Sequence, residues 1–516
     1  MRSLVDVRVQ GLFIIVVTSC SGQPAPAPVI PVVPPPVEIT GTPDAPPPAI
    51  LGASCDDQRL LCGPELTCDA SLPGGSCIAA CSAPGTACGT GICVEYPTID
   101  VCHPSCTTND DCRAGEGYAC DPVWKGCVLA NRPTIAPLAC APPTGIARDP
   151  AFAPATSVAG GGEVAAATTD TGVVMVYERP ARQGLAVVRL DHAGRLGGAA
   201  LDAEASSPAL ARDGAVLHLV ATRGRSVVIS TSKDGSSWPS ARVFETECGV
   251  GDCTPPAIAV GNDPQKRRTI YVAYPVSNGI RVRASRDGGA TFTPAVTALP
   301  GTRGSLAVSG DGALHVVALR GSARGSYGSG DHEILYSSSI DGGRSFTKPR
   351  LISRDGDRIP FYYGAPRIEV DSARKWIYVA YTRGGRDGKW DIALVATTDK
   401  KLWVRSSIGE PSCTQFAPQL ALDPTSGGLH VGWYDSRGSR YAHAVCVEGL
   451  RGCRQLGRIN SEPFAGLSLS RHGLHAASEA TALVVDTARR TLHAVWSQSV
   501  ATEARIFHAK AKLPLR

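Results

Sequence analysis

Ser232-Lys-Asp-Gly-Ser-Ser-Trp238, Ser285-Arg-Asp-Gly-Gly-Ala-Thr-Phe292 and Ser339-Ile-Asp-Gly-Gly-Arg-Ser-Phe346 are three versions of one phrase. A worn fourth copy reads Thr397-Thr-Asp-Lys-Lys-Leu-Trp403. The aspartates Asp234, Asp287, Asp341 and Asp399 lie 53, 54 and 58 residues apart. Self-similarity at such a period marks a repeat array whose units stack to bury a common core.

Working outward, each phrase follows a short apolar strand, and an earlier strand in each unit ends in an apolar or aromatic pair. Those earlier strands read Val173-Val-Met-Val-Tyr177, Leu217-His-Leu-Val-Ala221, Ile270-Tyr-Val-Ala-Tyr274 and Leu314-His-Val-Val-Ala318. Ile377-Tyr-Val-Ala-Tyr381, Leu429-His-Val-Gly-Trp433 and Leu492-His-Ala-Val-Trp496 continue the series. Most are preceded by a further strand, as in Pro208-Ala-Leu-Ala211 and Pro418-Gln-Leu-Ala-Leu422. Short β-branched and aromatic runs punctuated by Gly, Asp and Pro read as strands, and no stretch sustains a helical period. Four strands in about 50 residues is the content of one propeller blade, and radial packing protects the sheet edges. The expectation is an all-β chain with a seven-bladed propeller over 133–516, or a six-bladed one if the first unit is not a true repeat.

The phrase Ser-x-Asp-Gly-Gly-x-x-Phe resembles the Asp-box, or BNR repeat, of the sialidase superfamily, and Val431-Gly-Trp-Tyr-Asp-Ser-Arg437 resembles strands common there. The resemblance covers about two thirds of the chain. It implies a sialidase-like propeller in which the boxes turn between the two outer strands of a blade. It also implies ligand sites on the opposite face, around the central channel. Physically, an aspartate can accept N–H bonds across a tight loop while Gly supplies positive φ. Asp234, Asp287, Asp341 and Asp399 are therefore expected to be structural.

The front third differs. Arg2 and Arg8 precede Leu12-Phe-Ile-Ile-Val-Val17, too short a run to span a membrane and suited to a signal-peptide core. Val17-Thr-Ser-Cys20 resembles a bacterial lipoprotein box, which implies removal of 1–20 and lipidation of Cys20, and Ser21 after it implies the outer membrane. Residues 21–54 are rich in proline, including Pro34-Pro-Pro36 and Pro46-Pro-Pro48, and favour an extended tether. Residues 55–132 hold twelve cysteines in three quartets: 55, 62, 68, 77; 81, 88, 93, 102; and 106, 112, 120, 127. Each quartet implies two bridges, in any of three pairings. Disulfides are preferred over zinc, because Cys-x-x-Cys pairs are absent and an export signal stands upstream. Outside this module, Cys248–Cys253 and Cys446–Cys453 are spaced to close short loops, leaving Cys140 for Cys413 by elimination.

The net charge of +5 over 516 residues, without a basic block, gives no footprint for nucleic acid. Membrane attachment is expected through lipid, and the chain is read as a monomer. No cofactor motif is present. Asp331-His332-Glu333 and the pair Asp355/Asp357 are of metal-ligand type, but no metal spacing completes around them, and a loop-bound Ca²⁺ stays open.

An arginine follows the second strand in five units: Arg179, Arg223, Arg320, Arg383 and Arg437. A ring of guanidinium groups would favour carboxylate or sulfate ligands; solvated loop residues are the alternative. Insertions fall at 321–333, 354–363 and 384–390, bringing Arg358 and a mixture of Asp, Tyr and Trp suited to carbohydrate. Sialidases set three arginines on a carboxylate, with a tyrosine nucleophile backed by a glutamate and an aspartate acid. By resemblance Tyr362 or Tyr363 takes the nucleophile's place and Asp355 or Asp357 that of the acid. Arg358-Ile359-Pro360 matches a family element but follows the third good box instead of preceding the first. The loop 457–479, with Arg458, Glu462, Arg471, His472, His475 and Glu479, is polar without a motif. The resulting expectation is an exported, lipid-anchored envelope protein whose propeller binds glycan or protein. An exo-acting glycosidase and a purely structural protein are the alternatives.

Overall fold

The computed structural model describes residues 50–513, apart from 56–61, 70–75, 82–86, 95–99, 131–148, 247–254, 322–331, 360–364, 385–389, 409–414, 436–439, 461–479 and a few shorter gaps. The region after residue 149 forms seven four-stranded antiparallel sheets among the described residues. Blades 1 to 6 follow the chain in strict meanders, over 164–202, 205–245, 257–299, 302–351, 367–408 and 415–458. Blade 7 takes Thr481–Asp486, Thr491–Val500 and Glu503–Lys512 from the C-terminal end, and its outermost strand, Thr156–Gly160, from before blade 1. The first strand of each blade packs beside that of the next, and the seventh returns to the first. The ring is thus closed by one sheet drawn from both ends of the repeat region.

All seven apolar quintets quoted above fall on second strands. A second strand has neighbouring blades against both of its faces, so its side chains are buried on either side and read as a continuous apolar run. Val176, Leu217, Val272, Val316, Val379, Val431 and Val495 are essentially inaccessible. The core accordingly lies between blades: Val317 and Tyr336 of blade 4 cluster with Val379 and Tyr381 of blade 5. Each such side chain contributes about 1.5–3 kcal/mol on burial.

The aspartate phrases form the turns between third and fourth strands. In blade 2 the Asp234 carboxylate accepts the N–H groups of Ser236 at 2.8 Å and Ser237 at 3.1 Å. The Ser232 hydroxyl accepts the Gly235 N–H at 2.8 Å, and the Trp238 indole donates to the Gly235 carbonyl at 3.1 Å. Asp287, Asp341 and Asp399 repeat the pattern through Thr291, Ser345 and Leu402. Trp238, Phe292, Phe346 and Trp403 each pack against a core shared by two adjacent blades. Hydrogen bonds from the Ser236 hydroxyl and from the turn amides hold the Asp234 carboxyl well below the usual carboxylate range.

On this same face, polar contacts tie successive first-to-second-strand turns together. Arg212 of blade 2 pairs with Asp170 of blade 1, and Arg268 Nε of blade 3 reaches Asp213 of blade 2 at 2.6 Å. Lys266 donates to the Gly310 carbonyl at 3.5 Å, and Gly310 N–H to Ser372 Oγ at 2.8 Å. Arg374 reaches the Pro424 carbonyl at 3.5 Å, and Arg490 lies 3.2 Å from Asp423. The belt therefore runs from blade 1 through blade 7. Within it, burial alone would push the Asp263 carboxyl up, but bonds from Arg267 and Arg286 outweigh this and hold it at about 2.

A strap precedes the closing strand. Asp149 N–H donates to the Arg458 carbonyl of blade 6 at 2.9 Å, Phe152 bridges to Ala511 of blade 7, and Ala153 N–H reaches the Lys510 carbonyl at 2.8 Å. The Asp149 carboxylate lies 3.2 Å from His443 Nδ1, whose Nε2 is 3.1 Å from His430 Nδ1. Phe152 packs edge-on against His443.

The cysteine-rich module forms a five-stranded sheet, ordered Thr67–Asp69, Ser76–Cys81, Asp100–Pro104, Gly91–Val94 and Ala87–Cys88, and a two-stranded one. Its bridges join first to third and second to fourth cysteine: Cys81–Cys93 with Cys88–Cys102, and Cys106–Cys120 with Cys112–Cys127. The first quartet shows Cys62–Cys77, the same second-to-fourth link, and Cys55 is also bridged. Sulfurs engaged in disulfides hold no zinc, so the preference for bridges stands. In the propeller Cys446–Cys453 forms as expected. Cys140, Cys248, Cys253 and Cys413 lie outside the described residues, as do Cys20 and residues 21–49 of the tether.

Candidate functional site

Antiparallel meanders place the loops between second and third strands, and the links between blades, on the face opposite the aspartate turns. The predicted arginines are at these ends, and each one described is engaged close by. Arg179 donates to the carbonyl and side-chain oxygens of Gln183, at 3.2 and 2.8 Å. Arg223 pairs with Asp202, at the end of blade 1's outer strand. Arg320 Nε donates to Glu333 at 2.6 Å across its own hairpin. Arg383 lies 3.7 Å from Asp357 and 4.0 Å from Asp391. Arg358, Arg437, Asp355, Tyr362 and Tyr363 lie outside the described residues, as does the loop 461–479.

What the fold brings together is the anchored ends of the three insertions. His332, where the first insertion enters blade 4's third strand, is buried with Nδ1 3.0 Å from the Ile359 carbonyl in the second. Within that second insertion, Asp357 accepts the Arg354 N–H and the Tyr381 hydroxyl, each at 2.9 Å. Arg383 joins Asp357 to Asp391, which flanks the third insertion. The result is a mixed carboxylate, guanidinium and phenol cluster at the junction of blades 4 and 5.

The tyrosine–carboxylate contact has a twin. Tyr274 of blade 3 donates to Glu245 of blade 2 at 2.6 Å, with Arg283 3.6 Å from the same carboxylate. Tyr274 and Tyr381 close the matching quintets Ile270–Tyr274 and Ile377–Tyr381, and both are fully buried. Burial first, and the adjoining carboxylate second, push both phenols up. A contact repeated at the same place in two units is a tie between blades. The recurring terminal tyrosine in the sequence was the signal for it.

Other polar groups had no sequence signal. Glu163 and Glu178, both buried, oppose each other across blade 1's first two strands at this face, where Glu178 N–H donates to the Glu163 carbonyl at 2.9 Å. Ser207, Arg303 and Ala417 take positive φ at irregularities in the first strands of blades 2, 4 and 6. Glu369 sits on blade 5's innermost strand, where burial pushes its carboxyl up to about 7.

The architecture defines the chain as a β-propeller protein. No family model and no curated protein matches it. Among solved structures it is similar to an ulvan lyase, with 11% identity over 70% of this chain and 95% of that one, and a TM-score of 0.47. It is similar to Trypanosoma rangeli sialidase in complex with sialic acid at 11% identity, over 67% of this chain and 59% of that one, with a TM-score of 0.39. An endo-arabinase from Bacteroides thetaiotaomicron aligns at 16% identity over 46% of this chain and 92% of that one, with a TM-score of 0.31. The likeness is one of fold.

Proposed function

We propose that this chain is an exported protein, anchored by lipid at Cys20, whose propeller binds glycan on the face opposite the aspartate turns. One observation carries the reading: His332 ties the first insertion to Ile359 in the second, and Arg383 ties Asp357 of the second to Asp391 beside the third. A sugar hydroxyl both donates and accepts, so a cluster presenting carboxylates and a guanidinium side by side suits neutral polyols. Isolated guanidinium groups would instead favour acidic sugars. Because Arg223, Arg320 and Arg383 face carboxylates, the reading moves from an anion ring toward hydroxyl-rich ligands. An exo-acting glycosidase is the second reading. Its support is the Tyr381–Asp357 contact, a tyrosine beside a carboxylate, with Tyr381 in place of the expected Tyr362 or Tyr363 and an aspartate where the sialidase resemblance implies a glutamate; its twin at Tyr274 marks it as structural.

The test is an array of neutral and acidic glycans probed with the full chain and with Arg383→Ala, read for retained protein and for released sugar. Retention of neutral glycans, weakened at least tenfold in the variant, is the expected result. Exclusive retention of acidic glycans would restore the anion ring, and release of a terminal sugar would establish the glycosidase. Silence in both readouts would remove glycan as the ligand.

A further inference from the structure

Leu196–Asp202, the outermost strand of blade 1, differs from every other outer strand of the propeller. It is the longest among them, seven residues, against two to six elsewhere. It carries no charge before Asp202, whereas the outer strands of blades 2, 4, 5 and 6 all contain arginine. Its centre, Gly197-Gly-Ala-Ala200, is mostly exposed, and Leu196 at its start is 51% exposed. Short length and charge are the usual devices that keep a sheet edge from pairing, and this strand has neither. Its pairing with Leu185–Asp191 is regular up to a single shift at Leu185/Ala186. No strand lies beyond it among the described residues.

Two clefts border this strand where the ring closes between blades 7 and 1. One, of about 630 Å³, is lined by Val173, Leu190, Leu196, Arg189 and Arg489, together with the carboxylates Asp170 and Asp191. The other, of about 490 Å³, is lined by Val158, Tyr177, Arg179 and Val187. Arg189 is exposed and leans over Gly197. The nearby carboxylate Asp170 is already engaged by Arg212. Arg489 lies 3.8 Å from Asp486 and Arg179 is held by Gln183, so the groove offers an apolar lining and the exposed guanidinium of Arg189 beside a bare strand edge.

We propose that Leu196–Asp202 is a docking edge for an extended, acidic peptide, which pairs with blade 1 as a fifth strand. Main-chain bonds supply the attachment, alternate side chains enter the clefts, and an acidic residue meets Arg189. This surface includes none of Asp357, Arg383 and Asp391 of the glycan cluster.

The probe is a labelled, capped hexapeptide alternating valine and glutamate, with a valine–lysine counterpart as control, titrated against the full chain by fluorescence anisotropy. Successive N–H groups along a strand point to opposite sides, so one of Ala199→Pro and Ala200→Pro removes an outward N–H without touching the blade's own ladder. Thermal melting identifies that variant. Saturable binding of the acidic peptide at least tenfold tighter than the basic one is expected. It should be lost in the proline variant that melts like the parent, and weakened at least tenfold by Arg189→Glu. No saturable binding, or binding retained in both the fold-neutral proline variant and Arg189→Glu, overturns the proposal. A peptide-free dimer in sedimentation that the same proline variant dissolves would overturn it in favour of a second copy of this chain.

Discussion

Lys400 occupies the place in the worn aspartate turn where Gly235, Gly288 and Gly342 stand in the good copies, and all four have φ between 61° and 76°. A side chain in that left-handed region costs about 1–2 kcal/mol, part of which glycine returns as entropy of the unfolded chain. Lys400→Gly should therefore raise stability by about 0.5–1 kcal/mol, read as a higher denaturant midpoint. No change would show that the turn has relaxed around the lysine. Glu369 makes a second case at this scale. Its folded pKa is raised, from 4.5 to about 7, so the fold favours the protonated form. That contribution is complete below about 4.5 and is lost as pH rises through about 7. Glu369→Gln, which stays neutral, should stabilise the protein by on the order of 1–3 kcal/mol at pH 8 and leave it unchanged at pH 4. Equal effects at both pH values would refute the assignment. The turn was legible from the sequence, because aspartate, glycine and aromatic plug act within seven or eight residues. Glu369 was not, because its burial comes from neighbours far along the chain.

At the scale of elements, the tyrosine ties explain how one blade is held to the next. Removing a phenolic hydroxyl leaves a half-buried carboxylate short of a donor, a loss of about 1–3 kcal/mol. Tyr274→Phe and Tyr381→Phe should each lower stability by this amount, and by similar amounts, in matched denaturant titrations. If the glycan array reveals sugar release, Tyr381→Phe should retain it. Loss of release in that variant alone would make Tyr381 the nucleophile. The order of strands within a unit was readable in advance: the seven quintets are all second strands and the aspartate phrases all link third to fourth. The origin of blade 7's outer strand was not. Thr156–Gly160 carries no mark that separates it from any other short strand, and its partner Glu503–Lys512 lies some 350 residues away.

For the whole molecule, buried histidines set a limit on acid stability. Burial, the largest cause in each case, lowers His315 and His493 to about 4 and His430 and His508 to about 3, from an ordinary 6.5. His430 and His508 face the partner imidazoles His443 and His493, and Lys510 adds to the effect on blade 7. With folded values below unfolded ones, the unfolded chain binds protons first. Stability is thus full above about 6.5 and falls as pH drops toward 3–4, ahead of the aspartates Asp263 and Asp341, which are held at about 2. The melting temperature should decline steadily between pH 6.5 and 4, and a flat profile across that interval would contradict the burial of these imidazoles as neutral groups.

The sequence by itself determined the repeat, the strand content of each unit, the chemistry of the turns and the cysteine pattern of the module. All of these rest on interactions between residues close in the chain, which periodicity records. The tertiary structure alone decided how the ring closes, and that Arg223, Arg320 and Arg383 face carboxylates. It also decided that His332 of the first insertion meets Ile359 of the second, and that Asp357 of the second meets Arg383 beside the third. Those outcomes depend on which blades lie side by side and how far each is rotated, a matter of packing between surfaces that no local spacing encodes.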